Sequence, residues 1–111
     1  MIESNPSVRI VLTTVGSREE AARIGRALVE EHLVACATIL PGAESIYRWK
    51  DTIETESETL LMLKTDAENL PALETRIREL HNYETPEFLV IQVDAASDRY
   101  LRWMNLCLAH A

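Results

Sequence analysis

Between Val34 and Thr65 the chain holds two long extended segments separated only by Lys50-Asp51-Thr52. The first begins as the apolar run VACATIL, meets Pro41-Gly42, and resumes as AESIYRWK. Pro-Gly at that point predicts a bend or bulge. Beyond it Ser45, Tyr47 and Trp49 share one face, and Ile46 and Arg48 share the other. The second segment alternates from Ile53 onward. Ile53, Thr55, Ser57, Thr59, Leu61 and Leu63 lie on one face, and Glu54, Glu56, Glu58, Leu60, Met62 and Lys64 on the other. Two strands of roughly a dozen residues are about twice the usual strand length. The outer half of this hairpin is Thr, Ser and Glu, with little core of its own to pack on. The inner half, Leu60 to Leu63, is apolar on both faces and requires a covered sheet. A single copy of so short a chain cannot cover such a hairpin by itself.

The other elements fit around it. Residues 1–7 read as a flexible N-terminal tail, and residues 8–111 as a single domain. Arg9 to Val15 is a β-branched run and predicts a buried strand. Gly16 ends it, and Ser17 with Glu20 forms a capping box for a helix whose core positions are Ala21, Ile24 and Leu28. Gly25 in mid-helix costs about 1 kcal/mol against alanine, so a close backbone approach is its plausible reason. Asp66 or Asn69 caps a second helix with Leu70, Leu73, Ile77 and Leu80 at helical spacing and Pro71 near its start. His81 to Pro86 is a connecting loop, Glu87 to Val93 a fourth strand, and Ala95-Ala96-Ser97 opens a last helix capped by Ser97. The order β-α-β-β-α-β-α is an α+β chain. Its first six elements are the split β-α-β, or ferredoxin-like, arrangement: four antiparallel strands with two helices on one face. The C-terminal helix covers part of the other face, and a neighbouring subunit would cover the rest.

Charge narrows the function. Eighteen acidic and eleven basic residues give a net charge of −7, which repels phosphate backbones and argues against nucleic-acid binding. No apolar run reaches membrane-spanning length, and the first seven residues carry no signal-peptide features. A cytoplasmic protein with Cys36 and Cys107 reduced and buried is the expected setting.

Four segments then resemble one family. ACATILPG (Ala35 to Gly42), SIYRWKDTIE (Ser45 to Glu54), LMLKT (Leu61 to Thr65) and HNYETPE (His81 to Glu87) are similar to motifs of the CutA family of divalent-cation tolerance proteins. They fall in order and span essentially residues 8–108. The resemblance implies a tight homotrimer of PII-like architecture, in which the long hairpins pair edge to edge between subunits. It also implies a non-enzymatic role in tolerance of copper and other divalent cations. No obligatory cofactor is implied, only Cu2+ or another divalent cation as ligand. The partners expected are further copies of the chain and metal ions, with no nucleic acid and no membrane.

The same resemblance marks candidate residues. His81 opens the family's H-P-Y-E-x-P-E loop and is the candidate imidazole ligand for Cu(II) or Zn(II), with Glu84 and Glu87 as carboxylates beside it. The competing role for His81 is a loop histidine hydrogen-bonded to backbone. For the two glutamates it is an ordering contact, for instance with Lys64. Asn82, Leu80 and Thr13 stand where members carry proline, a second histidine or a cysteine. Cys36, Tyr47, Trp49, Lys64 and Tyr83 are assigned to an intersubunit cleft. The row Glu54, Glu56 and Glu58 would bind cations weakly or pair with Arg48 and Lys50 across the turn.

The alternative function is a PII-like sensor binding a small molecule in that cleft. Against it, no Gly-rich phosphate cradle is present. An acylphosphatase-like enzyme is disfavoured because Val15-Gly16-Ser17-Arg18 only faintly echoes a phosphate loop. A soft-metal chaperone would need C-x-x-C, which is absent.

Overall fold

A computed structural model describes residues 1–110; Ala111, the last residue of the expected domain span, lies outside them. The elements run β1 (Ile2–Ser4), β2 (Val8–Val15), α1 (Arg18–Glu30), β3 (Cys36–Trp49), β4 (Thr52–Asp66), a 3-10 turn (Ala67–Asn69), α2 (Leu70–Leu80), β5 (Leu89–Gln92), β6 (Ala95–Ser97) and α3 (Asp98–Cys107). The main sheet has the order β3-β4-β2-β5 and is antiparallel throughout. That is the ferredoxin-like order expected for a split β-α-β unit.

Local chemistry sets the boundaries. The Ser17 hydroxyl accepts from the Glu20 amide at 3.1 Å and starts α1. The reciprocal half of the capping box is not made. The Glu20 carboxylate instead takes Arg23 at 3.4 Å and the Asn82 amide at 3.0 Å. Asp66 accepts from the Asn69 amide at 3.1 Å, and Ser97 from the Tyr100 amide at 3.2 Å. A Cβ on Gly25 would come 3.0 Å from the Ala37 Cβ, so this glycine marks where α1 lies closest to β3.

The hairpin is as long as the alternation predicts, with 14 residues in β3 and 15 in β4. It stretches the chain to 47 Å against 25 and 22 Å across. Its turn places Lys50 and Asp51 at φ of 50° and 67°. Left-handed backbone at both positions is the primed geometry whose twist matches that of paired strands. The register shifts between Leu40 and Ala43, where Pro41 and Gly42 form the bulge and Gly42 adopts φ 85°.

Two apolar clusters lie on opposite faces of the sheet. Under α1 and α2, Val11, Val15, Leu61 and Leu63 pack with Ile24, Leu28, Leu73 and Ile77. On the other face α3 brings Met104 and Leu108 onto Val8 and Ala35. Beyond α3 that second face is uncovered: Leu12, Leu60 and Met62 are only half-buried, and Leu89 is 56% exposed. The inner hairpin is therefore covered on one side by its own chain and on the other hardly at all.

Three expectations are corrected. Residues 1–7 are not an unpaired tail: β1 pairs with β6, and the Asn5 amide reaches the Asp94 carbonyl at 2.8 Å. These are main-chain bonds between short exposed segments, which leave no side-chain periodicity to read. For the same reason Ala95 to Ser97 are strand, and α3 begins at Asp98. Cys36 and Cys107 are free but half-buried rather than buried.

Thr13 is fully buried, and its hydroxyl has no hydrogen-bond partner among the described residues. Thr13→Val keeps the shape and removes a desolvated hydroxyl. We expect it to stabilise the fold by about 1 kcal/mol in urea denaturation at fixed protein concentration. A loss of stability would mean that the hydroxyl is satisfied in solution.

Candidate functional site

The loop after α2 crosses the end of β2 and brings its polar side chains against the base of the hairpin's outer half. Its first residue, His81, is only 8% exposed. Its Nε2 lies 2.7 Å from the Thr14 carbonyl, which can only accept, so Nε2 carries the proton. Its Nδ1 lies 3.0 Å from the Tyr83 amide, which can only donate. Both ring nitrogens are thus committed to backbone, and the neutral imidazole has no lone pair free for a metal. The ring also stacks, tilted, on Tyr83 at 4.5 Å. His81 positions the loop.

What it positions is Tyr83, whose hydroxyl donates to Glu58 Oε2 at 2.6 Å. Burial, and then the bond to the Glu58 carboxylate, pushes the Tyr83 phenol above its ordinary range. Glu58 is 7% exposed, the first of the glutamate row to pass beneath neighbouring structure. Glu87 approaches from the other end of the loop. Burial first, and then the Glu58 charge, raises its carboxyl above the usual carboxylate range. Next along the hairpin the Tyr47 hydroxyl donates to Glu56 Oε1 at 2.9 Å. That bond, with the flanking glutamates, raises the Tyr47 phenol. The glutamate row therefore pairs with tyrosines on its own face. It does not pair with Arg48, which sits opposite Ile53 on the other face.

The expected cleft residues separate into three places within one chain. Tyr47 and Tyr83 join Glu56, Glu58 and Glu87. Cys36 and Lys64 are cross-strand partners, and the Lys64 ammonium lies 6.0 Å from the Tyr100 ring on α3. Six residues of strand, roughly 20 Å, separate Lys64 from Glu58, so Lys64 does not order Glu84 or Glu87. Trp49 is at the hairpin tip, with the Lys50 ammonium 5.6 Å above its ring. Glu84 points elsewhere as well. It lines a shallow concavity of about 210 Å³ with Glu74, Arg78, Pro86 and Phe88. Among the described residues no three His, Cys, Asp or Glu side chains converge as a ligand set. Glu58 is the site residue that the sequence reading left within a row. The signal was its place between the solvated glutamates and Leu60.

Glu87 gives a pH prediction. Its folded-state carboxyl is raised, so its contribution is most favourable below the ordinary glutamate value. That contribution is lost as pH rises through the raised value. Glu87→Gln should therefore stabilise at neutral pH, by less than about 1 kcal/mol, and flatten the stability profile between about pH 4.5 and 7. Denaturation midpoints of both proteins across that range check it, and parallel profiles would contradict it.

Comparison with known proteins gives the wider setting. Residues 9–107 match the family model described as CutA1 divalent ion tolerance protein. The divalent-cation tolerance protein CutA of Thermus thermophilus is 42% identical over 96 residues, which cover 86% of this chain and 93% of that protein. The crystal structure of CutA from Xylella fastidiosa superposes with a TM-score of 0.91 at 40% identity, covering 94% of this chain and 100% of that one. CutA from Synechococcus elongatus gives 0.93 at 36% identity, covering 98% and 96%. With its split β-α-β topology, its long hairpin and this span of similarity, the chain belongs to the CutA1 divalent-ion tolerance family, with that family's ferredoxin-like, PII-like fold.

Proposed function

We propose that this protein acts in divalent-cation tolerance as a non-enzymatic homotrimer. In this reading it binds a cation through the carboxylates of Glu58 and Glu87, in a cleft completed by the neighbouring subunit's hairpin. The observation that carries the reading is the unneutralised charge at the hairpin base. Glu58 and Glu87 are close enough for one to raise the other's carboxyl, and no Lys, Arg or His among the described residues pairs with either. A divalent cation relieves that repulsion, and an all-oxygen set of carboxylates and phenol suits hard cations such as Mg2+, Ca2+ or Mn2+. Copper binding through His81 Nδ1 would require breaking the hydrogen bond that this nitrogen accepts from the Tyr83 amide. Trimer formation is supported by the uncovered sheet face and the unsupported outer hairpin. The free cysteines accord with a reducing, cytoplasmic setting, which this reading assigns.

Calorimetric titration with Zn(II), Mn(II) and Cu(II) tests it. Glu87→Gln should weaken binding about tenfold, the loss of one charged oxygen ligand. His81→Ala should leave the affinity of the folded protein unchanged. Unchanged affinity in Glu87→Gln, or loss confined to His81→Ala, would overturn the site.

A second reading, a PII-like small-molecule sensor, draws on Lys64. No carboxylate among the described residues pairs with its ammonium, and it lies beside Cys36, near the Tyr100 ring of α3. An anionic ligand would bind there rather than at Glu58. Nucleotides added in the same titration separate the two readings.

A further inference from the structure

Just past α3 the chain crosses back over the domain, and two histidines tie it down. His32, at the end of α1, has left-handed backbone with φ 61°. Its Nδ1 lies 3.1 Å from the Cys107 carbonyl, and its own carbonyl accepts the Ala109 amide at 2.8 Å. The Asn69 side chain donates to the Ala109 carbonyl at 2.9 Å. His110 closes the crossing, with Nδ1 3.1 Å from Glu68 Oε2 and Nε2 3.2 Å from the Asn105 carbonyl. Beneath it Leu108 is 7% exposed and packs on Val8, Ala35 and Met104.

We propose that Leu108–His110 is a strap whose closure depends on protonation of the His110 ring. A backbone carbonyl only accepts, and so does an ionised carboxylate. Both His110 nitrogens face such acceptors, so both bonds together require the doubly protonated imidazolium. The neutral ring can donate only once and must give up one of them. The charged groups facing His110 are Glu68 and, at 4.0 Å, Asp66, which is held by Asn69. No Lys or Arg among the described residues pairs with either carboxylate, so nothing there substitutes for the imidazolium charge. Charge on the ring therefore closes the strap fully, and its loss frees one end of the crossing. Opening lifts Leu108 from the groove of about 490 Å³ beside α3, whose apolar lining includes Val8, Leu101, Met104 and Leu108. This device is independent of the cation site at Glu58 and Glu87.

Amide exchange at Ala109, corrected for the intrinsic pH effect, reads strap closure directly. Protection in the intact protein should fall about threefold between about pH 5.5 and 8.5, the scale of one partly exposed ion pair. The Leu33 amide, bonded within the α1 terminus to Leu28, should not follow. His110→Gln and Glu68→Gln should each abolish the pH dependence, whereas His32→Asn should keep it. A flat profile in the intact protein overturns the proposal. So does an unaltered slope in His110→Gln, or an Ala109 amide unprotected at about pH 5.5.

Discussion

Leu61→Ala is expected to cost about 3–4 kcal/mol, measured by chemical denaturation at one fixed protein concentration. Leu61 is fully buried at the centre of β4 and belongs to the cluster beneath both helices. Its Cδ1 lies 3.8 Å from where a Cβ on Gly25 would be, in the tightest part of the helix-sheet contact. Close packing there leaves α1 little room to settle into the void. The loss therefore combines the transfer of the deleted methyl and methylene groups with a retained cavity. A cost below about 1 kcal/mol would mean that the sheet and α1 collapse together, contrary to the packing described.

The second large effect concerns assembly. Ile46 is 68% exposed and Ile53 57% exposed, and they lie on the same face of the outer hairpin, diagonal across the two strands. Neither is covered by the described residues of a lone chain, as their exposures show. If hairpins of neighbouring copies cover them, replacing both with glutamate buries two unpaired carboxylates in each such contact. A buried unpaired charge costs several kcal/mol or drives the contact apart. Ile46→Glu with Ile53→Glu is expected to convert the assembly to single chains at micromolar concentration. The fold under α1 and α2 should be retained, as far-ultraviolet circular dichroism would show. If the double variant assembles like the parent, those isoleucines are outside the interface.

Side-chain periodicity made most of the fold legible. Period two in Ile53 to Lys64 gave β4 its faces, and helical spacing gave Leu73 and Ile77. Pro41-Gly42 announced the bulge. What it missed lacks that kind of signal. The β1–β6 ribbon is made of main-chain bonds between exposed segments, and Glu20 chose Arg23 and Asn82 over its own helix start through contacts distant in sequence. The site was less legible than the fold for the same reason. Imidazole chemistry made His81 look like a ligand, but its two backbone partners, Thr14 and Tyr83, fix its protons and leave it a positioning role. Glu58 acquired its place only when the His81–Glu87 loop was laid across the hairpin. Tyr47 and Tyr83 do share a site, whereas Trp49 and Lys64 are carried away from it by the length of the same two strands.

In the proposed assembly the long hairpin and the uncovered sheet face are completed by other copies of the chain. Light scattering coupled to size-exclusion chromatography tests it most directly. The intact protein is expected to have a mass of three times the 12.6 kDa chain. Ile46→Glu with Ile53→Glu is expected to shift to the single-chain mass. An intact protein that elutes as a stable monomer at micromolar concentration would contradict it.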